Sequence, residues 1–450
     1  MNEVRYAPPM WRMLLAAATL VAPPLLGCGD NLPQVHELEL VGHTDLGGHG
    51  MNAALAVAGD TVYVGSRNDQ KGVAIVDISD PTAPTVVGEI GPPLAGLPSM
   101  SSRELRAVPD LNLLVVLNMV CDKELHGCAE SGGELENLRL YDISDRRAPA
   151  VLGTIGVAGT PRRPRGPHEF YLWRDGARVL LFLAAPAGPP AFEVIDVTDP
   201  RDPLRLVMWD PTEAGVVRLS GEHILHSIGV SEDGRVAYLS HLQAGLLLAD
   251  LSAMPAITLL TPPTAALTWP PAEAAGPHSA VPLEGRDVLV VTEEVYPRPF
   301  GTACPWGHLR TVDITNPAAP TILGEYRLPE NDPAYCANPQ DNIAFTAHNT
   351  TTTRDLALVT WYAGGLQVLD LSDPTLPVRL TEFRPAPLAA VTTEDPALGG
   401  HPVSMWSYPV VQDGLIYVVD IRNGLYVLRY RGRFEDQLAA DPFIEGNSNL

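Results

Sequence analysis

One short string recurs along the 450-residue chain at intervals that dictate its architecture. It reads VAIVDISDPTAP at 73–84 and returns as LRLYDISDRRAP (138–149), FEVIDVTDPRDP (192–203), LLLADLSAMPAI (246–257), LRTVDITNPAAP (309–320) and LQVLDLSDPTLP (366–377). The shared aspartate falls at 77, 142, 196, 250, 313 and 370, so successive copies lie 65, 54, 54, 63 and 57 residues apart. A seventh copy, GLYVLRY (424–430), places Arg429 at the equivalent position, 59 residues further on. Periods of this size belong to propeller blades or solenoid units, which bury their apolar faces only against their neighbours.

Before each aspartate runs a stretch rich in Val, Ile and Leu, as a buried strand requires. Upstream lies a second run, such as TVYVGS (61–66), VLLFLA (179–184) or LIYVVD (415–420), and before it a third; TVVGEI (85–90) and TILGEY (321–326) exemplify a fourth after the aspartate. The Ser-Asp-Pro element between is turn chemistry: the short side chains bond nearby backbone N–H groups and proline presets φ. A proline opening the fourth strand is tolerated because an edge strand loses no ladder bond. The expected fold is all-β, a seven-bladed β-propeller of four-stranded antiparallel blades, with six or eight blades as the alternative counts. Since no fourth strand follows the seventh copy, HELELVGHTDL (36–46), which resembles the other fourth strands, is expected to close the ring from the N-terminal side. The propeller then spans 36–432, and 433–450, acidic and poor in apolar residues, is expected to be a loosely packed C-terminal extension.

The pattern G-L-x-V-x-D-[IL]-S-D-P-x-x-P, clearest at Gly365–Pro374 and 72–84, resembles the LVIVD-repeat proteins of bacterial envelopes and surfaces. Copy four departs from it with Ala253-Met254, and copy seven lacks the turn. The resemblance implies a propeller and is close to silent on activity.

At the N-terminus, Arg5 and Arg12 precede an apolar run from Met13 to Leu26, too short for a permanent span and of signal-peptide length. Leu25-Leu26-Gly27-Cys28 resembles a bacterial lipobox, which implies a signal peptide at 1–27, lipidation of Cys28 and a tether at 28–35. A plain secretory signal is the alternative, and it also exports the chain. Export leaves Cys121, Cys128, Cys304 and Cys336 in a disulfide-permissive compartment. Three pairings are possible; Cys121 with Cys128 and Cys304 with Cys336 are favoured, against four free thiols. No CxxC spacing suggests structural zinc.

The formal charge is −23, with Lys71 and Lys123 the only lysines. No basic stripe with interleaved aromatics is present, so nucleic acid is not an expected partner. There is no GxSxG elbow, Walker loop, HExxH or dinucleotide fingerprint. The repeated aspartates lack the dense spacing of a calcium loop.

The chemistry-bearing pattern is histidine. His168, His226, His278 and His348 open the first strands of four consecutive blades, with Met51 or Asn52, Arg103 and Trp406 near that register in the other three. First strands line a propeller's channel, so these side chains should face a common space. Converging imidazoles suit zinc, copper or iron, and Glu169 and Glu222 are close enough in sequence to add a carboxylate. Architectural similarity to selenium-binding-protein-like propellers implies an alternative function, a metal-dependent oxidoreductase. The competing reading gives each histidine a structural bond within its own repeat. Opposite sides of the channel are far beyond the roughly 2 Å metal–nitrogen bond, so neighbouring pairs are the plausible ligands. Arg162, Arg163 and Arg165, just before His168, could dock an anion or form a solvated loop. Trp209, Trp269, Trp306, Trp361 and Trp406 could stack on sugars, but packing is the commoner use. The leading expectation is a lipid-anchored envelope scaffold, periplasm-facing or surface-exposed, that binds an envelope protein or small ligand through its channel mouth and the loops at 91–101, 121–136, 211–221, 261–276, 294–308 and 327–344.

Overall fold

In all six copies of the repeated string the aspartate ends the third strand and its carboxylate Oδ1 accepts from the backbone N–H two residues on: Ser79, Ser144, Thr198, Ser252, Thr315 and Ser372, at 2.8–2.9 Å. A second acid makes the same two-residue bond in Asp80, Asp145, Asp199 and Asp373. The string recurs because every blade turns the same corner. That corner also docks on the preceding blade. A Cβ on Gly42, Gly153 or Gly324 would stand 2.1, 2.3 or 2.7 Å from the carbonyl oxygen of Pro81, Pro200 or Pro374, so these three fourth strands need glycine where the next corner presses on them.

The computed structural model describes residues 35–68, 71–91, 100–120, 137–157, 167–185, 191–216, 225–242, 244–269, 276–295, 304–337, 343–386 and 404–450. Seven antiparallel sheets follow one another. Blade 1 comprises Asn52–Ala58, Thr61–Ser66, Val73–Asp77 and Thr85–Ile90; blade 2 Met100–Val108, Leu113–Val120, Asn137–Asp142 and Ala150–Gly156; blade 3 Glu169–Asp175, Arg178–Ala184, Phe192–Asp196 and Leu204–Trp209. Blade 4 comprises Leu225–Val230, Val236–His241, Gly245–Asp250 and Thr258–Leu259; blade 5 Pro277–Pro282, Val288–Glu293, Leu309–Asp313 and Thr321–Tyr326; blade 6 Thr350–Thr352, Leu356–Thr360, Leu366–Asp370 and Val378–Phe383. Blade 7 comprises Val410–Gln412, Leu415–Asp420 and Gly424–Arg431, and its outer strand is Glu37–Thr44, paired antiparallel from Glu37 opposite Arg431 to Thr44 opposite Leu425. The expected N-terminal closure is therefore present. Blade 4, whose copy lost the Asp-Pro turn, keeps only a two-residue outer strand.

Apolar clusters fill every junction between neighbouring blades, including one that joins Val57, Val62 and Val76 of blade 1 to Tyr417, Val419 and Val427 of blade 7. Burial of these faces closes the circle. First strands touch the first strands of adjacent blades and so line the axis. Among the described residues no helix is long and apolar enough to cross a membrane. The signal and tether at 1–34 lie outside the described residues.

The C-terminal extension departs from the sequence reading. After a short helix, Glu435–Ala440, the segment Phe443–Glu445 pairs with the first strand of blade 7, making that sheet five-stranded. The chain then crosses the channel. Gly446 N donates to Thr351 Oγ1 of blade 6, Asn447 Nδ2 donates to Glu169 Oε1 and the Phe170 carbonyl of blade 3, and Ser448 bridges to Leu172. Glu445 lies 3.0 Å from the guanidinium of Arg106 on blade 2, both nearly inaccessible to water. An acidic tail is held because its polar groups meet polar groups on the channel wall, where an apolar count gives no warning.

Burial pushes the Glu445 carboxyl up to about 7 despite the attraction of Arg106. A carboxyl whose folded value is raised contributes stability that is complete below its ordinary range near 4.5 and is lost as pH rises through 7. Glu445→Gln should flatten that loss: in urea denaturation at pH 5 and pH 8 the wild type loses more stability than the variant. Equal losses would show that Glu445 titrates as it does in the unfolded chain.

Candidate metal centre

The first strands of blades 2, 4 and 5 each skip one residue in their pairing with the second strand. The skipped residues lie between Ser102 and Glu104, Leu225 and Ser227, and Pro277 and Ser279; they are Arg103, His226 and His278. A bulge frees a side chain from the pleat and re-aims it. His168 sits one residue and His348 two residues before the first strands of blades 3 and 6, tied by backbone bonds from their N–H groups to Ala184 and Thr360.

The four imidazoles form a continuous arc, with ring centroids 4.7 Å apart for His168 and His226, 4.0 Å for His226 and His278 and 4.3 Å for His278 and His348. They occupy consecutive blades, so the pairs are adjacent as expected. Trp406 of blade 7 continues the arc, 6.3 Å from His348, and the guanidinium of Arg67 lies 3.9 Å over its ring.

A carboxylate joins them, from a residue the sequence reading did not select. Glu294 follows the second strand of blade 5, with one oxygen 3.4 Å from His278 Nε2 and the other 3.4 Å from His348 Nε2. Tyr362, whose backbone takes a left-handed φ of 40°, donates its hydroxyl to Glu294. Strained backbone of this kind tends to gather at functional sites. One ligand atom from each of His226, His278 and Glu294 can be chosen so that all three lie within 4.8 Å of one another. No repeat position marks Glu294 or Tyr362; only their neighbourhood in three dimensions does.

The imidazoles are held neutral. Burial pushes His226 down to about 4 and His348 to about 3, and burial with neighbouring imidazoles drives His168 and His278 well below the usual range. Burial raises the Glu294 carboxyl, against the pull of His226 and the Tyr362 hydroxyl. The structural role expected of the histidines holds for His348, whose Nδ1 bonds the Trp406 carbonyl. His278 shows no such bond: it is fully buried and, among the described residues, neither ring nitrogen has a hydrogen-bond partner, the approach to Glu294 lacking hydrogen-bond geometry. His226 Nδ1 is likewise without one.

The other selected residues are dispersed. Glu169 does not serve the imidazoles; its Oε1 accepts from the Tyr408 hydroxyl at 2.6 Å and from Asn447 at 2.8 Å, one level nearer the tail. Burial raises its carboxyl to about 8. Arg103 is in the arc's register, with Nε donating to Ser101 Oγ at 3.0 Å. Trp269, Trp306 and Trp361 are buried, Trp209 packs edge-on to Phe192, and Trp406 alone among the five borders the histidines. Cys304 and Cys336 form a disulfide, and Cys304 packs in a cluster with Tyr362 and Trp406. Cys28, Cys121, Cys128, Arg162, Arg163, Arg165 and Glu222 lie outside the described residues, as does much of the loop face.

Comparison with known proteins bears on the fold. The LVIVD repeat family model matches residues 49–90 and 303–327, which are blade 1 and part of blade 5. The chain is a β-propeller that carries LVIVD-repeat sequence in those two blades. No curated protein matches the chain significantly. Among solved structures it is similar to Kuenenia stuttgartiensis hydrazine synthase, with 13% identity and a TM-score of 0.50 over 86% of this chain and 97% of that one. It is also similar to the Cps50 (Swd1) β-propeller domain of Myceliophteria thermophila, with 10% identity and a TM-score of 0.46 over 85% and 98%. At such identities the likeness to hydrazine synthase concerns the fold alone.

Proposed function

We propose that this propeller is a lipid-anchored protein of a bacterial envelope that binds a transition-metal ion at the histidine end of its channel. The observation that carries the metal reading is the buried, neutral His226–His278 pair, in which both ring nitrogens of His278 and Nδ1 of His226 lack hydrogen-bond partners among the described residues while Glu294 stands beside them. Buried polar groups are almost always satisfied, and each orphan costs about 1–3 kcal/mol. Lone pairs on neutral imidazoles beside a carboxylate are the donor set that zinc or copper takes, and an ion would satisfy atoms that nothing else in the protein does. His348, already bonded through Nδ1, retains Nε2 toward Glu294 and could supply a further nitrogen. Anchoring is supported by the basic, apolar and Leu25-Leu26-Gly27-Cys28 stretches of the N-terminus.

Elemental analysis after incubation with Zn²⁺ or Cu²⁺ and desalting tests the metal reading. Near-stoichiometric metal is expected in the wild type and little in the His226→Ala/His278→Ala double variant, with the β-sheet circular dichroism unchanged. A wild type that retains no metal would end the proposal. Mass spectrometry of Cys28 in the membrane fraction tests the anchor separately.

A further inference from the structure

Tyr362 carries a hydroxyl where packing asks for none. The residue is 1% exposed and its ring packs with Met51, Trp306 and Trp406, contacts that a phenylalanine would make equally well. A phenolic hydroxyl taken out of water costs free energy unless it is hydrogen-bonded, and this one donates to Oε1 of Glu294. The ring is held between two others, its centroid 5.5 Å from that of His348 and 6.1 Å from that of Trp406. The backbone is paired with Met405 in both directions, Tyr362 N donating to the Met405 carbonyl at 2.9 Å and Met405 N to the Tyr362 carbonyl at 3.2 Å. That pairing holds the left-handed backbone at Tyr362, so the hydroxyl reaches Glu294 from a rigid support. The two blades concerned are also locked to each other, the Thr292 hydroxyl of blade 5 donating to the His348 carbonyl before blade 6.

We propose that Tyr362 is a positioning residue of the metal centre: by occupying one oxygen of Glu294 it leaves the other as the single ligating oxygen and keeps the ion four-coordinate. This deepens the metal reading and rests on it for the ion. The two oxygens of Glu294 face different ways. Oε1 receives the Tyr362 hydroxyl and is the oxygen 3.4 Å from His348 Nε2, whereas Oε2 lies 3.4 Å from His278 Nε2, on the side of the His226–His278 pair. The terminal torsion of a glutamate is soft, so an untethered carboxylate would swing both oxygens onto a divalent ion and raise its coordination to five. With Oε1 held, two imidazoles and one oxygen make three protein ligands, which leaves one position of a tetrahedral ion unfilled by them, the open arrangement of catalytic rather than structural zinc. A hydrogen-bond partner that orients a ligand in this way carries a large share of metal affinity, and its loss typically costs about 10–100-fold.

The test loads the full chain with Co²⁺, whose visible absorption is intense in four-coordinate sites and weak at higher coordination, in wild type and Tyr362→Phe. The wild type is expected to give the intense four-coordinate spectrum. Tyr362→Phe should give the weaker bands of five-coordination, with Zn²⁺ affinity lowered by about 10–100-fold. A purely packing role would move the stability of the metal-free protein and leave the spectrum as it was. A cycle with Glu294→Ala isolates the route: measured with Cu²⁺, the most tightly held of the divalent ions, Tyr362→Phe should cost less than about twofold where the carboxylate is gone. An unchanged spectrum and affinity in Tyr362→Phe, an equal loss in both backgrounds, or a phenolate charge-transfer band in the Cu²⁺ form, the mark of Tyr362 as a ligand itself, would overturn the proposal. So would a five- or six-coordinate Co²⁺ spectrum in the wild type, which requires no variant to fold. Any of these with metal bound ends the positioning role alone; a wild type that takes up none of the three ions ends the metal reading and this role with it.

Discussion

A chain that stops at Pro442 is expected to unfold well below the full-length protein. Residues 443–450 are few, yet they supply the inner strand of blade 7 and bonds to blades 3 and 6. Their loss strands Arg106, 1% exposed, whose partners are Glu445 at 3.0 Å and Glu104 at 3.4 Å. Removing one partner of a buried ion pair typically costs about 3–5 kcal/mol. Water entering the unplugged end would soften that cost, so the lower figure is the better expectation. Glu169 loses its Asn447 donor as well and keeps the Tyr408 hydroxyl. Denaturation followed by intrinsic fluorescence measures the difference; a truncated chain as stable as the whole would mean that the tail merely rests in the channel.

Replacing His278 with leucine is expected to have opposite effects on two properties. Leucine approximates the ring's volume and brings no polar atom into a fully buried place where both nitrogens lack hydrogen bonds. The metal-free protein should therefore gain about 1 kcal/mol or hold level, while metal affinity collapses. His348→Leu should differ in sign, losing about 1 kcal/mol because its Nδ1 bond to the Trp406 carbonyl disappears. A functional site that costs stability is the common pattern of stored compromise. If His278→Leu were destabilised by more than about 2 kcal/mol in the metal-free state, the ring would be a core residue in its own right and the case for a ligand would weaken.

The corner at Ser79-Asp80-Pro81 and its copies were readable in the sequence because each repeat must solve one local problem, the exit from a buried strand to an edge. Closure was readable because Leu40-Val41-Gly42 carries the glycine that the fourth strands of blades 2 and 5 also place under the next blade's corner. The arc of histidines was readable for the same reason: equivalent positions on consecutive blades become neighbours around an axis. Other features follow no repeat. Glu169 adjoins His168 in sequence, but one residue along a strand is about 3.3 Å along the channel, which places it with Asn447 and the tail. Glu294, Tyr362 and Arg67 lie beyond the ends of second strands, where nothing periodic marks them. The tail's register depends on polar partners from blades 2, 3 and 6, which hydrophobic patterning cannot register. Of the two favoured disulfides, Cys304–Cys336 is formed, and the other pair falls outside the described residues.

The account turns on whether a metal ion sits between His226, His278 and Glu294. Anomalous diffraction from crystals of the Zn²⁺-incubated protein, collected above and below the zinc absorption edge, addresses that directly. The account predicts a single strong difference peak roughly 2 Å from a nitrogen of each histidine and an oxygen of Glu294. A map with no peak in the channel, or with zinc bound only at surface carboxylates, would contradict it.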